Sequence, residues 1–174
     1  MTQDHGTVAA LPQEKQPQDL TLVFCRRRTA DGPEILLGLK KKGFGTGKWN
    51  GFGGKVEAGE SIEVAAKREL LEEAGVTATK VAKRGHLTFV LDSYEHIMKV
   101  HLYEAVEWHG EPTESDEMAP RWYREDALPF ELMWADDAHW MPLFLAGKSF
   151  EGEFIFKPDS VSIDTHWLRE ASFE

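Results

Sequence analysis

The sequence predicts a single α+β domain, and three observations carry that expectation. Several segments alternate apolar and polar residues with the period of two that a half-buried strand requires. One longer helix, with start and stop signals at its two ends, and a second, shorter one interrupt these segments. The 174 residues, 41% hydrophobic and 29% charged, suit one domain with one sizeable core. No internal repeat or heptad argues for another architecture.

In chain order, Met1 to Gln18 is rich in Gln, Pro, Thr and charge and reads as a mobile tail, leaving 19–174 as the domain. Leu20, Leu22 and Phe24 alternate with Thr21, Val23 and Cys25, a strand ending at Arg26-Arg27-Arg28. That triple arginine reads as a solvated strand end or as a contact for an anion. Asp31-Gly32-Pro33 marks a turn, and Glu34 to Lys40 returns as a second strand. Gly43-Phe44-Gly45-Thr46-Gly47-Lys48 and Trp49-Asn50-Gly51-Phe52-Gly53-Gly54 are too glycine-rich for regular structure, and glycines let backbone approach a ligand closely. Val81 to Leu91 and Ile97 to Trp108 form the next hairpin, with Asp92-Ser93-Tyr94-Glu95 as its turn. A polar loop, Glu111 to Pro120, leads to a short strand at Arg121 to Arg124. Asp136 is expected to cap a helix through Leu145, ended by Gly147. Phe150 to Phe156 and Val161 to Leu168 close the chain as a hairpin.

The central helix is the informative element. Ser61 is its expected N-cap, Glu63 suits its positive end and Gly75 is a natural stop, giving about thirteen residues. At roughly 100° per residue, Glu69, Glu72 and Glu73 share an arc of about 100° with Ile62, Ala65 and Ala66 above them. Val64, Leu70, Leu71 and Ala74 form a second apolar stripe, so the helix is expected to pack on two sides with its carboxylates partly buried. Taken alone, such a cluster reads as a solvated acidic face. Partial burial of three like charges is unfavourable unless a cation binds, and Mg²⁺ suits carboxylates, water and phosphate oxygens.

Net charge bounds the partners. With 30 acidic against 20 basic residues, the charge of −10 argues against a nucleic-acid backbone as ligand. One cysteine, Cys25, leaves no internal disulfide and fits a reducing compartment or plain core. No apolar run of about 18 residues or signal-peptide pattern is present, so a cytosolic protein is expected. The seven histidines lack metal-ligand spacing.

Gly54, five residues, Glu60, seven residues, Arg68-Glu69-Leu70, then Glu72-Glu73, Ala74, Gly75 and Val76 match the signature of the Nudix hydrolases at each fixed position. The resemblance implies a mixed β-sheet sandwiched between helices, and an enzyme that uses Mg²⁺ or Mn²⁺ to cleave a diphosphate linked to a nucleoside or similar group. It implies metal ligation by Glu69, Glu72, Glu73 and the Gly53 carbonyl, with Glu117 as a further candidate. Glu60 and Arg68 would order the loop and orient the carboxylates. Water would attack the β-phosphorus, with Glu73 or Glu117 as proton acceptor.

From about Leu20 to Glu170 the chain is similar to the purine triphosphatase branch of that family found in animals. The resemblance rests on Lys40 to Gly45, Trp49 to Val56, Glu114 to Met118, and Pro129-Phe130 through Met133-Trp134 to Asp136-Asp137. Such enzymes convert oxidised purine nucleoside triphosphates, 8-oxo-dGTP and 2-hydroxy-dATP among them, to monophosphate and pyrophosphate. By that resemblance Asn50, Asp136 and Asp137 would bond the base edge and Trp134 would stack on it. Phe44, Phe89, Met98, Met118 and Trp140 would line the pocket, and Lys40 would lie towards the phosphates. The chain departs at Leu91, where that branch has a pocket phenylalanine, at Cys25 and Arg26 for threonine and leucine, and at Ala135 for proline. Arg26 could close part of the pocket or add a contact. A monomer acting on a small molecule, without nucleic acid or membrane, is expected. The alternatives are a Nudix hydrolase of ADP-ribose, dinucleotides or unmodified nucleoside triphosphates, one acting on capped RNA, and a silent nucleotide-binding Nudix domain.

Overall fold

The structure, a computed structural model, describes residues 14–174. Its elements are β1 (Pro17–Thr29), β2 (Gly32–Lys40), β3 (Trp49–Asn50), α1 (Ile62–Ala74), β4 (Thr77–Val90), β5 (Ile97–His109), β6 (Met118–Arg124), a 3₁₀ turn (Phe130–Leu132), α2 (Asp137–Leu145), β7 (Phe150–Phe156) and β8 (Ile163–Glu170). Of the expected tail, residues 1–13 lie outside the described residues. Pro17 and Gln18 already belong to the sheet, opposite Ile97 and Met98. Among the described residues, no helix is long and apolar enough to cross a membrane.

The strands form one mixed sheet in the order β3-β2-β1-β5-β4-β7-β8, with β6 on the other flank of β2. β1 runs parallel to β5 and β4 parallel to β7, while the remaining pairs are antiparallel. α1 covers one face through Val23, Cys25, Leu36, Phe52, Ala66, Leu70 and Ala74. α2 covers the other through Trp140, Met141 and Phe144 against Phe24, Leu37, Leu102 and Phe150. The sheet is thus sandwiched between helices, as expected.

One irregularity positions everything else. β1 pairs with β2 only from Arg26 to Thr29, opposite Gly32 to Ile35. Beyond that point the two strands splay, and the chain from Trp49 to Lys55 enters the fork. There β3 pairs with Gly38 and Leu39 of β2, while Phe52 and Lys55 bridge to Val23 and Leu20 of β1. The sequence expected only loop here, because two paired residues are too few to show a period. The approach is extremely close: a Cβ at Gly53 would lie 1.7 Å from the Thr21 carbonyl oxygen. Only glycine fits.

α1 forms as its signals require. The Ser61 hydroxyl accepts the Val64 N–H at 3.2 Å, and Gly75 ends the helix with φ of 69°. Its second stripe divides, however: Leu70 and Ala74 are buried against the sheet, while Val64 and Leu71 are 53% and 51% exposed, so the helix buries one side only. An apolar residue fixes periodicity, but the neighbouring layer decides which stripe is covered, and here one sheet face is available.

The triple arginine is a continuing strand, not an anion contact. Arg26 donates two hydrogen bonds to Glu125, at 2.6 and 3.0 Å, and one to the Leu145 carbonyl at 3.1 Å. It also pairs with Glu104 at 3.5 Å, so it neither closes nor touches the fork. Arg27 pairs with Glu34 at 2.8 Å and lies over the Trp122 ring. Cys25 is core, its thiol pushed up to about 12 by burial. The polar loop also ends sooner than expected, because Met118 to Pro120 already pair with β2.

Gly53→Ala tests the fork. The added methyl must displace β1 backbone, an overpacking cost of about 3 kcal/mol. For a chain of this size the melting temperature should fall by about 6–12 °C in a calorimetric or circular-dichroism melt.

Candidate functional site

The fork opens into a cavity of about 400 Å³, walled by Leu20 to Leu22 of β1, Lys40 of β2, Asn50 to Lys55, and side chains from the far face of the sheet. Its two ends differ in chemistry. One is acidic and metal-competent, built on α1, and the other is aromatic and carboxylic, built around the start of α2.

At the acidic end, Glu73 is 3% exposed, and its Oε1 accepts the Gly53 N–H at 2.7 Å. Neighbouring residues of an extended chain aim their polar groups to opposite sides. Phe52 and Gly54 serve β1 through their carbonyls, so Gly53 turns both its N–H and its carbonyl towards the helix. Glu69 lies flush against the loop, since a Cβ at Gly54 would sit 2.6 Å from its Oε1. Arg68 then ties the set together. It donates to Glu60 at 2.6 and 3.0 Å, to Glu69 at 2.9 Å, to Glu72 at 3.2 Å and to the Lys55 carbonyl at 3.1 Å. On the opposite side Lys40 Nζ is 3.3 Å from Glu117 and 4.0 Å from Glu73.

Burial pushes the Glu73 carboxyl up to about 7, against the opposing pull of the Gly53 N–H and Lys40. Burial also raises Glu69, against Arg68, whereas the Arg68 fork holds Glu60 below the usual carboxylate range. Glu72 and Glu117 are exposed. Among the described residues no three acidic or imidazole groups already converge as a finished cage. The set nonetheless fits a hard divalent cation. A buried carboxylate held close to neutrality lacks the positive charge that would ionise it. Mg²⁺ uses only one or two protein carboxylates and fills its shell with water and phosphate.

At the other end, Asp136 and Asp137 are buried side by side. Asp136 makes no capping bond; its Oδ2 accepts the Trp140 indole N–H at 2.8 Å. Both carboxyls are raised, chiefly by burial, and Asp137 is raised well above its ordinary range because it also faces Asp136. The indole donor favours charge on Asp136, and Asp137, facing that charge, is the more strongly raised of the two. Among the described residues Asp137 Oδ2 has no hydrogen-bond partner, and neither has the buried Thr21 Oγ1. Both residues line the cavity. Asn50 spends its Oδ1 on the Gly51 N–H at 2.8 Å, which leaves its amide donors for the cavity.

Of the residues expected from sequence, Lys40, Phe44, Asn50, Gly53, Glu73, Phe89, Met98, Met118, Trp134, Asp136 and Asp137 all reach this cavity. Trp140 does not. It is fully buried behind Asp136, between Phe24 and Phe150, and acts on the wall from behind. Sequence reasoning missed Lys48, whose Nζ lies 5.0 Å from the centre of the Trp134 ring, as well as Thr21, Tyr94 and Phe156. Thr21 had a signal, since it alternates out of phase with Leu20 and Leu22. The others are brought in by long-range packing.

Comparison with known proteins agrees with this geometry. Residues 16–144 match the NUDIX domain family. The mouse protein named oxidized purine nucleoside triphosphate hydrolase is 50% identical over 136 residues, covering 78% of this chain and 86% of its own. Its zebrafish counterpart is 52% identical over the same shares. A crystal structure of a MutT protein from Bacillus halodurans superposes with a TM-score of 0.70 at 27% identity, covering 87% of this chain and 97% of that one.

The raised Glu73 carboxyl makes a prediction for metal-free protein. Its folded value of about 7 exceeds the ordinary 4.5, so the folded state binds this proton more tightly than the unfolded state. The associated stability is present in full below the lower value and is lost as pH rises through the upper one. The loss amounts to about 3 kcal/mol. In urea denaturation with EDTA, Glu73→Gln should lose less stability than the wild type between pH 5 and pH 8, by about that amount, and equal slopes would remove the buried-charge account.

Proposed function

The chain belongs to the Nudix family of hydrolases, which work with a divalent metal ion, and on that premise we propose that it hydrolyses modified purine nucleoside triphosphates. Oxidised nucleotides such as 8-oxo-dGTP and 2-hydroxy-dATP would be cleaved to monophosphate and pyrophosphate, removing them from the nucleotide pool. The observation that carries this reading is the buried Asp136–Asp137 pair with its unpartnered Asp137 Oδ2. A protonated and an ionised carboxyl side by side offer a purine edge one donor and one acceptor. Moving the proton between them changes which edge is accepted, as a pocket for several altered bases requires. Asn50 adds amide donors, Trp134 a stacking plane, and Phe89, Met98 and Met118 an apolar floor.

Glu69, Glu72, Glu73, the Gly53 carbonyl and Glu117 would share about two or three Mg²⁺ ions, or Mn²⁺ in their place, each taking one or two of the carboxylates. The ions would neutralise the triphosphate and acidify the attacking water. The chain's own groups do the rest. Arg68 orients Glu69 and Glu72, and Lys40 stands by Glu73 and Glu117 at the phosphate end. Glu73 Oε1 is fixed by the Gly53 N–H, whereas Glu117 is half exposed and tethered to Lys40. Glu117 therefore has the freedom to follow the attacking water and take its proton. The net charge of −10 weighs against a nucleic-acid backbone, and a single buried cysteine calls for no oxidising compartment. We read the protein as a cytosolic monomer acting on a small molecule.

The test is kcat/KM with Mg²⁺ for 8-oxo-dGTP, 2-hydroxy-dATP, dGTP, dATP and ADP-ribose, in the wild type and in Asp136→Asn. A modified purine triphosphate should lead in the wild type. The variant, with the pair's charge removed, should lose about 10–100-fold on at least one modified base, the worth of a buried hydrogen bond, and much less on ADP-ribose. Equal losses on every substrate would refute direct reading of the base, and a wild-type preference for ADP-ribose would refute the assignment.

A further inference from the structure

At the cavity mouth, Phe44 stands on a loop whose Gly43, Gly45 and Gly47 have φ of 79°, 84° and 87°, a conformation that side chains other than hydrogen rarely adopt. The base of the loop is braced by the Gly47 N–H on the Lys40 carbonyl at 2.9 Å and the Lys48 N–H on the Gly45 carbonyl at 3.1 Å, but Phe44 at its tip is 41% exposed. Its ring is nevertheless held on two sides. It stacks on Trp134 at 5.1 Å with 24° between the planes, and meets Tyr94 at 5.0 Å and 56°. Trp134 and Tyr94 both line the cavity but come from opposite rims, the first from the segment after the 3₁₀ turn and the second from the β4–β5 turn. Phe44 spans the mouth between them.

Tyr94 is itself clamped. Its hydroxyl donates to Gln18 Oε1 at 2.6 Å. Lys15 Nζ donates to the Tyr94 carbonyl at 2.6 Å and to the Leu91 carbonyl at 2.5 Å, tying both ends of the turn to the chain that leads into β1. The parallel pairing of Pro17 with Ile97 brings this turn beside the chain leading into β1, and the side-chain bonds then fix the height of the Tyr94 ring. The restraint has a purpose if the ring it carries is a stop for Phe44.

We propose that Tyr94 is a positioning residue for the base, acting through Phe44. Its ring holds Phe44 against Trp134, so that the glycine loop closes over a bound purine and the two stacked rings act as one wall. Gln18 and Lys15 keep Tyr94 at the right height. This rests on the reading above that a purine occupies the cavity. Loss of the Tyr94 ring leaves Phe44 with one aromatic partner instead of two, which should weaken retention of the base more than it affects the phosphate chemistry some distance away.

The experiment compares Tyr94→Ala, Tyr94→Leu and Tyr94→Phe with the wild type in two assays: steady-state kinetics on the preferred purine triphosphate, and tryptic cleavage at Lys42 and Lys48, which flank the loop. Tyr94→Ala and Tyr94→Leu should raise KM by about three- to tenfold, the worth of one aromatic pair, with a smaller fall in kcat. Cleavage of the loop should quicken by a similar factor. Tyr94→Phe keeps the ring and loses only the Gln18 bond, so it should stay within about twofold of the wild type in both assays. Unchanged KM and unchanged cleavage in the folded Ala or Leu variant would overturn the proposal. So would a kcat loss matching the KM rise, which a general structural role would give. If the wild type hydrolyses no purine nucleoside triphosphate, the functional reading fails by itself, and the cleavage assay still decides whether Tyr94 holds the loop.

Discussion

The hydrogen bond from the Gly53 N–H to the Glu73 carboxylate is the joint on which the site turns. It ties a loop that has no periodic structure to a helix that has its own caps. To reach it, the loop must press its backbone onto β1, which forbids a Cβ at Gly53, and must let Glu69 lie against Gly54. Glu73 must in turn be buried, and burial drives its carboxyl towards neutrality. The same contact therefore shapes the loop and creates an unmet demand for positive charge. Lys40 meets that demand in part, 4.0 Å from Glu73, while Arg68 is engaged by Glu60, Glu69 and Glu72.

The two ends of the cavity use one physical device for different purposes. In each, carboxyls are buried beside other carboxyls, and desolvation raises them. At the α1 end the neighbours are cations and exposed acids, so the conflict is relieved by bringing in positive charge. At the α2 end Trp140 supplies a neutral donor and no cation pairs directly with the aspartates, so the conflict is relieved by keeping a proton. One end of the cavity is thus left short of positive charge, and the other holds a donor beside an acceptor.

Much of this was legible in the sequence because it is local. Ser61 and Gly75 mark α1 by chemistry that acts within one helical turn, and the spacing of Glu69, Glu72 and Glu73 fixes their shared face. What was not legible depends on which layer covers which stripe. Val64 and Leu71 look like core and are solvated, while Trp140 looks like a pocket wall and instead stands behind one, donating to Asp136. Arg26 looked available to a ligand until Glu104 and Glu125, distant in sequence, arrived beside it. Lys48 and Tyr94 carry no motif. Their place at the mouth follows from the fork between β1 and β2 and from the clamp at Lys15, both products of tertiary packing.

The parallel pairing of β1 with β5 has a consequence for how the chain reaches this state. Pro17 lies opposite Ile97, so the partner of the first strand is synthesised 80 residues later. Closing so long a loop is an entropic cost met before the contact stabilises anything, and parallel pairing is intrinsically slow. Before Ile97 emerges, β1 can pair along one edge only, with β2 through its last four residues and with the Phe52–Lys55 segment. The opposite edge, from Pro17 to Cys25, waits for β5 unpaired. The cavity is consequently among the last parts of the molecule to be completed, and a nascent chain halted before Ile97 presents a sticky, unfinished strand edge along its wall.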